Sequence, residues 1–362
     1  MLVYIIITAI LIFMSFFDHI DIMDICNKFF LVVISFILIC ISGLRFETGH
    51  DYYNYINIFN SLGSIQQYIK DGSANKVEWG YAIFNLIVKK LGGGPQVMFF
   101  IMALLTVSLF AYYIKKYTKY YFTSFLMFYF LLYFENTMGH IRAGLAMGIV
   151  LCAIQYIEKQ DFIKFCVFIL LAASFHSTAL VVFPVYFIRK FEISNKVMGI
   201  SLVVAFLIGN INIVNIINKF ILTISYKSLL TSKFLNYVTN EALSNVAKTV
   251  AIRIVILILF IITKDRIGDK LKCYKTILYM YYFGVVLLLL LLNSPNDFAV
   301  RGTRMLVYVQ IFILPSFLSN IKNLYIRLVS HSLVILYGFA MFFSYMSSFS
   351  YAFFPYKDVF MK

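Results

Sequence analysis

The chain has 362 residues, of which 62% are hydrophobic and only 13% are charged, and its mean hydropathy is +0.87. These values exclude a soluble globular protein, since apolar runs of roughly 16 to 22 residues recur, and each is long enough to cross a ~30 Å hydrocarbon core as a helix. The net charge of +15 does not indicate nucleic-acid binding, because the lysines lie mostly between the apolar runs, where membrane orientation and anionic headgroups account for them.

The apolar runs predict an all-α, polytopic transmembrane helical bundle of about twelve spans, which forms one integral membrane domain over residues 1–362. The first run lacks a basic leader and a small-residue cleavage site, so it is interpreted as a retained helix. An outer loop over 45–95 and another over 218–248 interrupt the series. The predicted spans are 2–17, 29–44, 96–114, 120–134, 143–157, 162–175, 177–188, 197–217, 249–263, 276–292, 303–319 and 325–343.

Orientation follows from the short loops, because basic residues are concentrated on alternate turns and the positive-inside rule places those turns in the cytoplasm. Both termini and the two long loops then lie outside. The segment Glu78–Leu91 is apolar for only about nine residues, and counting it as a span would reverse every later loop. It is therefore predicted to be a re-entrant or interfacial helix on the outer side, ended by the breaker Gly92–Pro95.

Ionisable side chains are concentrated on the predicted outer face. Such groups cost about 2.5–3.5 kcal/mol each within the hydrocarbon boundary, so they usually face a cavity or a partner. Snorkelling to headgroups is the simple alternative for any single arginine, but the whole set favours a polar site. The set comprises Arg45, Glu47, His50, Asp51, Glu78, Glu135, His140, Arg142, His176, Asp297, Arg301 and Arg304, with Arg253 one turn inside a span.

Two arginines at the start of the 303–319 span suit an anionic ligand. Arg301 and Arg304 share one face if the helix has already begun, and guanidinium groups bind phosphate oxygens in a bidentate manner. With Arg142 and Arg45 they are candidates to hold a diphosphate. The alternative for Arg301 is a simple ion pair with Asp297.

Histidines and tyrosines of the same face leave two interpretations open. His140, at the mouth of a span rich in small residues, and His176, between two closely spaced spans, are either catalytic or ordinary hydrogen-bonded residues. Tyr52 and Tyr55 either anchor the interface or offer ring faces to sugars. No GxSxG, HExxH or Walker signature is present, and the five cysteines show no ligand spacing, so neither a hydrolase nor a metal site is indicated.

Four motifs occur in order over about residues 40–190. An RxxxGxDxxxY pattern is matched by Arg45, Gly49, Asp51 and Tyr55, and a pattern of the form fEpgy by Val77–Tyr81. An RQxxA pattern begins at Arg142, with alanine in place of the glutamine, and Phe175–Ala179 corresponds to fHxSA, with Thr178 at the serine position. In these motifs the chain resembles the EpsG-like group of Wzy-type exopolysaccharide and O-antigen polymerases.

The resemblance implies a multi-pass protein of the bacterial inner membrane that works at the periplasmic face. It would transfer a glycan from undecaprenyl diphosphate to a hydroxyl of a lipid-linked repeat unit, without a metal or cofactor. Membrane lipids and a chain-length regulator are its further expected partners. The expected roles are diphosphate binding by Arg45, Arg142, Arg301 and Arg304, a general base at Asp51 or His176, an orienting Glu78, and substrate contacts from His140, Tyr52, Tyr55 and Arg253.

Two other functions remain open from the residues. A membrane acyltransferase would use an outer-face histidine and arginines, but it would need a polar path from a cytoplasmic acyl donor. A lipid-linked glycan flippase would carry ionisable residues in its span centres, which are here almost free of charge.

Overall fold

The computed structural model describes residues 2–20, 24–71, 77–211, 247–267, 271–294 and 296–360. The outer loop predicted over 218–248 falls almost entirely outside these residues, as does the end of the 197–217 span. The side chain of Asp297, the predicted partner of Arg301, is also outside the description.

Within these ranges the regular secondary structure is helical, apart from two isolated β-bridges, Arg45 with Asp358 and Thr118 with Leu271. The all-α prediction is therefore confirmed. Two 3₁₀ turns cover Phe16–His19 and Ser177–Val182, and a π-helical segment covers Tyr129–Gly139. The α-helices are α1 Leu2–Ser15, α2 Asp24–Gly43, α3 Tyr52–Ser61, α4 Ile65–Asp71, α5 Trp79–Lys90, α6 Pro95–Tyr117, α7 Tyr121–Phe128, α8 Ile141–Glu158, α9 Phe162–Phe175, α10 Phe183–Ile188, α11 Asn195–Gly209, α12 Ala247–Ile267, α13 Tyr274–Leu290, α14 Asn296–Val307, α15 Gln310–Leu318, α16 Leu324–Ser348 and α17 Ser350–Phe353.

Four helical segments of the described chain are long and apolar enough to cross a membrane: Leu2–His19, Pro95–Tyr117, Ile141–Glu158 and Leu324–Ser348. Several other apolar helices are shorter, and the total of about twelve spans stays a prediction. Helix α5 rises only about 18 Å over its twelve residues, which is less than the hydrocarbon core. Its re-entrant or interfacial position also stays a prediction.

Two predicted spans are not the continuous helices that the sequence suggested. The 303–319 span consists of α14 and α15, which are separated at Tyr308 and Val309, and Pro315 lies inside α15. The 120–134 span begins as α7 and continues as the π-helical segment. π-helical turns are rare, and those that occur as bulges inside α-helices are frequent at functional sites. Here the stretch carries Glu135 and ends directly before His140.

The two ends of the bundle differ in chemistry. Helix α8 rises about 24 Å from Arg142 to Glu158. At its far end Glu158 pairs with Arg189 at 2.6 Å, close to the lysine-rich turns. The residues of the predicted site lie at the Arg142 end. The structure thus separates the lysine-rich turns from the site residues.

The C-terminal segment folds back onto the stretch that follows α2. The backbone N–H of Phe46 donates to the Lys357 carbonyl at 2.9 Å, and that of Val359 donates to the Leu44 carbonyl at 3.0 Å. The Gly49 N–H donates to the Ala352 carbonyl at 2.7 Å. The chain after α16 therefore forms one side of the predicted site, which the sequence did not indicate.

Gly49 is expected to be essential for this packing. Its φ is +106°, and a Cβ there would lie 2.5 Å from the Met138 carbonyl oxygen. Gly49→Ala should therefore lower the free energy of unfolding by about 1–3 kcal/mol, measured by thermal unfolding in detergent. Gly302→Ala is the matched control, because nothing lies within 4 Å of a Cβ at that helical glycine. Equal unfolding temperatures for the two variants would contradict this prediction.

Candidate functional site

A histidine–aspartate pair lies where α3 and α8 begin. The distance from His140 Nδ1 to Asp51 Oδ2 is 2.9 Å, and His50 Nε2 lies 3.8 Å from the same oxygen. On its other side, His50 Nδ1 lies 3.2 Å from the Tyr345 hydroxyl. Burial works to raise the pKa of Asp51, but the hydrogen bond and charge of His140 outweigh it, so the pKa is lowered. Asp51 is thus a carboxylate that holds His140 in a fixed orientation.

A second cluster surrounds Glu78, the residue that precedes α5. One Glu78 oxygen binds the Arg142 guanidinium, and the other accepts from the Ser177 N–H at 3.2 Å and from the Ser177 hydroxyl at 3.3 Å. His176 Nδ1 lies 3.7 Å away, beyond hydrogen-bond length. Burial works to raise the pKa of Glu78, but the adjacent His176 and Arg142 lower it to about 2. Glu78 therefore joins α5, α8 and the turn after α9.

This cluster predicts a pH-dependent stability. Because the folded pKa of Glu78 is depressed, its contribution is present above the unfolded value and is lost as the pH falls from about 4.5 to about 2. At about 1.4 kcal/mol per pKa unit this change corresponds to about 3.5 kcal/mol, which solvent screening of the partly exposed carboxylate reduces to on the order of 2–3 kcal/mol. Thermal unfolding of the wild type and of Glu78→Gln should differ clearly at pH 6 and progressively less below pH 4.5. A constant difference across this range would assign the stabilisation to another group.

A cavity of about 310 Å³ opens next to the histidine–aspartate pair, between the π-helical segment, α12, α14 and α16. Arg304 pairs there with Glu135 at 2.6 Å, and Arg253 donates to the Thr303 hydroxyl at 2.7 Å. Lys248 also lines the cavity. Among the lining residues that the structure describes, three cationic side chains thus face one carboxylate, an excess of positive charge.

Two contacts join the cavity to the pair. Tyr345 lines the cavity and also contacts His50. Glu135 lines it too, and its carbonyl accepts from the His140 N–H at 2.6 Å. The charge of Arg301, on the exposed side of α14, acts on His50. The cavity and the histidine–aspartate pair are therefore direct neighbours, connected through Tyr345 and Glu135.

Comparison with protein families decides the classification, because the model of the EpsG family matches residues 28–357, nearly the whole chain. The chain belongs to the EpsG family. No curated protein and no solved structure matches it. The motif-based resemblance is thus confirmed, and EpsG membership indicates a membrane protein with a polysaccharide-polymerase type of function. Neither the flippase nor the acyltransferase alternative is favoured.

Three predicted site residues of this EpsG protein are buried and do not line the cavity. The Arg45 side chain has no exposed surface, donates to the Ser42 carbonyl at 2.6 Å and lies over the Phe99 ring at 4.4 Å. Burial lowers the pKa of Arg45 to about 10. Tyr52 stacks on Phe99, and Tyr55 is equally buried. Direct contacts of these three residues with a substrate stay predictions, and in this structure all three pack in the core.

Sequence reasoning missed several residues of the EpsG site. Tyr345, Gln310 and Lys248 line the cavity, and Lys357 pairs with Glu47 at 2.7 Å. The available signal is the aromatic C-terminal stretch that follows the predicted 325–343 span. Its hydrogen bonds to the chain after α2 connect residues about 310 positions apart, which no local pattern shows.

The histidine–aspartate pair also offers the donor atoms of a metal site. Ligand atoms of His50, Asp51 and His140 lie within 4.8 Å of one another, and two imidazoles with a carboxylate suit a transition metal. The charges of Arg142 and Arg301, which act on Asp51 and His50 respectively, oppose a bound dication. The sequence predicts no metal, and that absence stays a prediction.

Proposed function

We propose that this EpsG-family chain is a polysaccharide polymerase that uses a glycan linked to a polyprenyl diphosphate, undecaprenyl diphosphate in a bacterial inner membrane, as its donor. The reaction would take place at the periplasmic face and would need no metal. The observation that carries the proposal is the adjacency of a cationic cavity, formed by Arg304, Arg253 and Lys248, to the His140–Asp51 pair. A glycosyl diphosphate needs both features, one to neutralise the leaving group and one to deprotonate the acceptor.

His140 is the base of this proposal, rather than Asp51 or His176. Asp51 accepts a hydrogen bond from the His140 Nδ1–H, which leaves Nε2 as the acceptor nitrogen. A base that is oriented by a carboxylate is the arrangement found in hydrolytic triads. The carboxylate nearest to His176, that of Glu78, already binds Arg142 and Ser177. Asp51 is then a positioning residue.

The chemical step is a single displacement. The acceptor hydroxyl of the incoming unit attacks the anomeric carbon, a glycosidic bond forms, and the bond from that carbon to the diphosphate oxygen breaks. The hydroxyl proton passes to His140 Nε2, and the lipid diphosphate leaves with the bonding electron pair. Arg304 and Arg253 stabilise the charge that develops on the leaving oxygen.

Arg142 and Glu78 are assigned to the acceptor side. They lie next to the His140–Asp51 pair and away from the cavity, and the Arg142 guanidinium lies over the rings of Tyr55 and Tyr81 at 6.0 and 5.7 Å. Their ion pair is half-buried and fixed by Ser177, so it can hold a sugar hydroxyl in one orientation. Arg301, at the exposed side of α14, is assigned to binding the donor phosphate that lies nearer the protein surface.

Reconstitution of the purified protein with lipid-linked repeat units alone tests the proposal. A ladder of glycolipids on a gel, formed without nucleotide sugar or acyl-CoA, is the expected result. Movement of intact repeat units across a vesicle without elongation would instead identify a flippase. Dependence on added acyl-CoA would identify an acyltransferase. Either of these two results would overturn the proposal.

A further inference from the structure

A second cavity opens directly beside the cationic one and has the opposite character. It measures about 520 Å³ and lies between α12, α15 and α16. Its floor is formed by the buried side chains of Ile256, Phe260 and Val334, and its walls by the exposed side chains of Val255 and Leu333. We call it the apolar groove. The two cavities share Ile252 and Tyr337, so one leads into the other.

All three helices of the apolar groove change from polar to apolar in the same direction. On α12, Lys248 and Arg253 line the cationic cavity, and the groove continues to Thr263, whose hydroxyl donates to its own helix at 2.7 Å. On α15, Gln310 lines the cationic cavity and is followed in the groove by Ile313, Leu314 and Phe317. Helix α16 runs in the opposite direction, so there Ser344 and Tyr345 line the cationic cavity, and Tyr337, Leu333 and Ser330 follow along the groove. From Ala251 to Thr263 the groove extends about 18 Å along α12.

A ligand that fills both cavities is therefore an amphiphile with an anionic head and a long apolar tail. The cationic cavity complements the head, because among the described residues that line it Arg304, Arg253 and Lys248 face a single carboxylate, that of Glu135. The groove is open along its length through Val255 and Leu333, so a tail can enter sideways from the hydrocarbon core. A tail that lies along the helices buries apolar surface against them and holds the head in register with His140.

We propose that the apolar groove binds the first isoprene units of the donor's polyprenyl chain, and so selects the donor by the length of its lipid. This rests on the proposed function, since it takes the diphosphate in the cationic cavity to be that of the donor. The remaining isoprene units extend into the bilayer, which does not distinguish one prenyl chain from another. A donor with a short prenyl chain reaches the same diphosphate site but loses part of the groove contact.

Substitution in the groove tests the proposal. Val255→Trp fills the groove, and Ile258→Trp is the matched control, since Ile258 lies on the same helix, is similarly exposed and does not line the groove (56% and 47% exposed). With purified protein, Val255→Trp should raise the KM for an undecaprenyl diphosphate-linked repeat unit by about tenfold. It should leave the KM for a unit linked to methyl diphosphate, which carries no isoprene units, unchanged, and Ile258→Trp should match the wild type with both donors. Equal effects of Val255→Trp on both donors, or no effect on either, would overturn the proposal.

A binding measurement separates this proposal from the proposed function. Undecaprenyl diphosphate with a photoreactive group on its first isoprene unit should label the peptide that contains residues 251–263, and excess unlabelled undecaprenyl diphosphate should prevent the labelling. Labelling without polymer formation would overturn the polymerase and leave the lipid site intact. Polymer formation without labelling would overturn the groove alone. Competition by a diacyl phospholipid as strong as by undecaprenyl diphosphate would assign the groove to bulk lipid and reject it as a donor site.

Discussion

Replacing Arg304 with alanine is expected to abolish long-chain polymer and to leave the single-repeat glycolipid. The change removes a guanidinium from the cationic cavity and leaves Glu135 there without its partner. The leaving diphosphate then loses one charge-assisted interaction and meets an uncompensated carboxylate. Loss of a single electrostatic contact to a developing charge typically lowers the rate by about 10²- to 10³-fold. Chain length on a gel and kcat/KM with purified donor measure the effect.

The chain offers a close control for this variant. Arg189 pairs with Glu158 at the same distance of 2.6 Å, and both arginine side chains are 18% exposed, but the second pair lies at the opposite end of the bundle. Arg189→Ala should therefore cost similar stability and leave the polymer unchanged. Addition of Glu135→Gln to Arg304→Ala should restore part of the activity, because it removes the repulsive charge. Normal polymer from Arg304→Ala, or equal loss from Arg189→Ala, would contradict the assignment.

The helical class and the family could be predicted from the sequence because both depend on local patterns. Hydropathy shows which segments of a chain can lie in lipid, and short motifs such as Glu78–Trp79 and Phe175–His176 can be recognised from neighbouring residues alone. The polar clusters were also found from sequence, since ionisable residues are rare in such a composition. The structure brings Asp51 to His140 and Glu78 to both Arg142 and His176, as an ordered set of motifs at one end of the bundle suggested.

The roles within the site could not be predicted in the same way. The sequence gives no reason to distinguish Arg45 from Arg142. In the structure α2 and α6 enclose the Arg45 guanidinium over Phe99, whereas part of the Arg142 guanidinium, on α8, is exposed to the site. The π-helical segment sets the position of Glu135 relative to Arg304, and no hydrophobic period predicts a π turn within an apolar run. The closing C-terminal segment depends on contacts between distant parts of the chain.

Replacing His140 with glutamine is expected to give the second large loss, with a different kinetic signature. Glutamine can still donate a hydrogen bond to Asp51, but it cannot accept a proton at neutral pH, so general-base catalysis is lost. The expected decrease in kcat is about 10²- to 10⁴-fold. The KM for the donor should stay near the wild-type value, because the cationic cavity is unchanged. Arg304→Ala, in contrast, should change both constants.

Two comparisons distinguish a base from the other roles that His140 could have. His176→Gln changes the other histidine next to a carboxylate, at 3.7 Å from Glu78, and it should reduce kcat much less. A larger loss from His176→Gln than from His140→Gln would move the base to the Glu78 cluster. If His140 were a metal ligand together with His50 and Asp51, EDTA would inactivate the wild type and added Zn²⁺ or Mn²⁺ would restore it. A general base at His140 predicts three results together. EDTA leaves the activity unchanged, kcat depends on His140, and the KM for the donor does not.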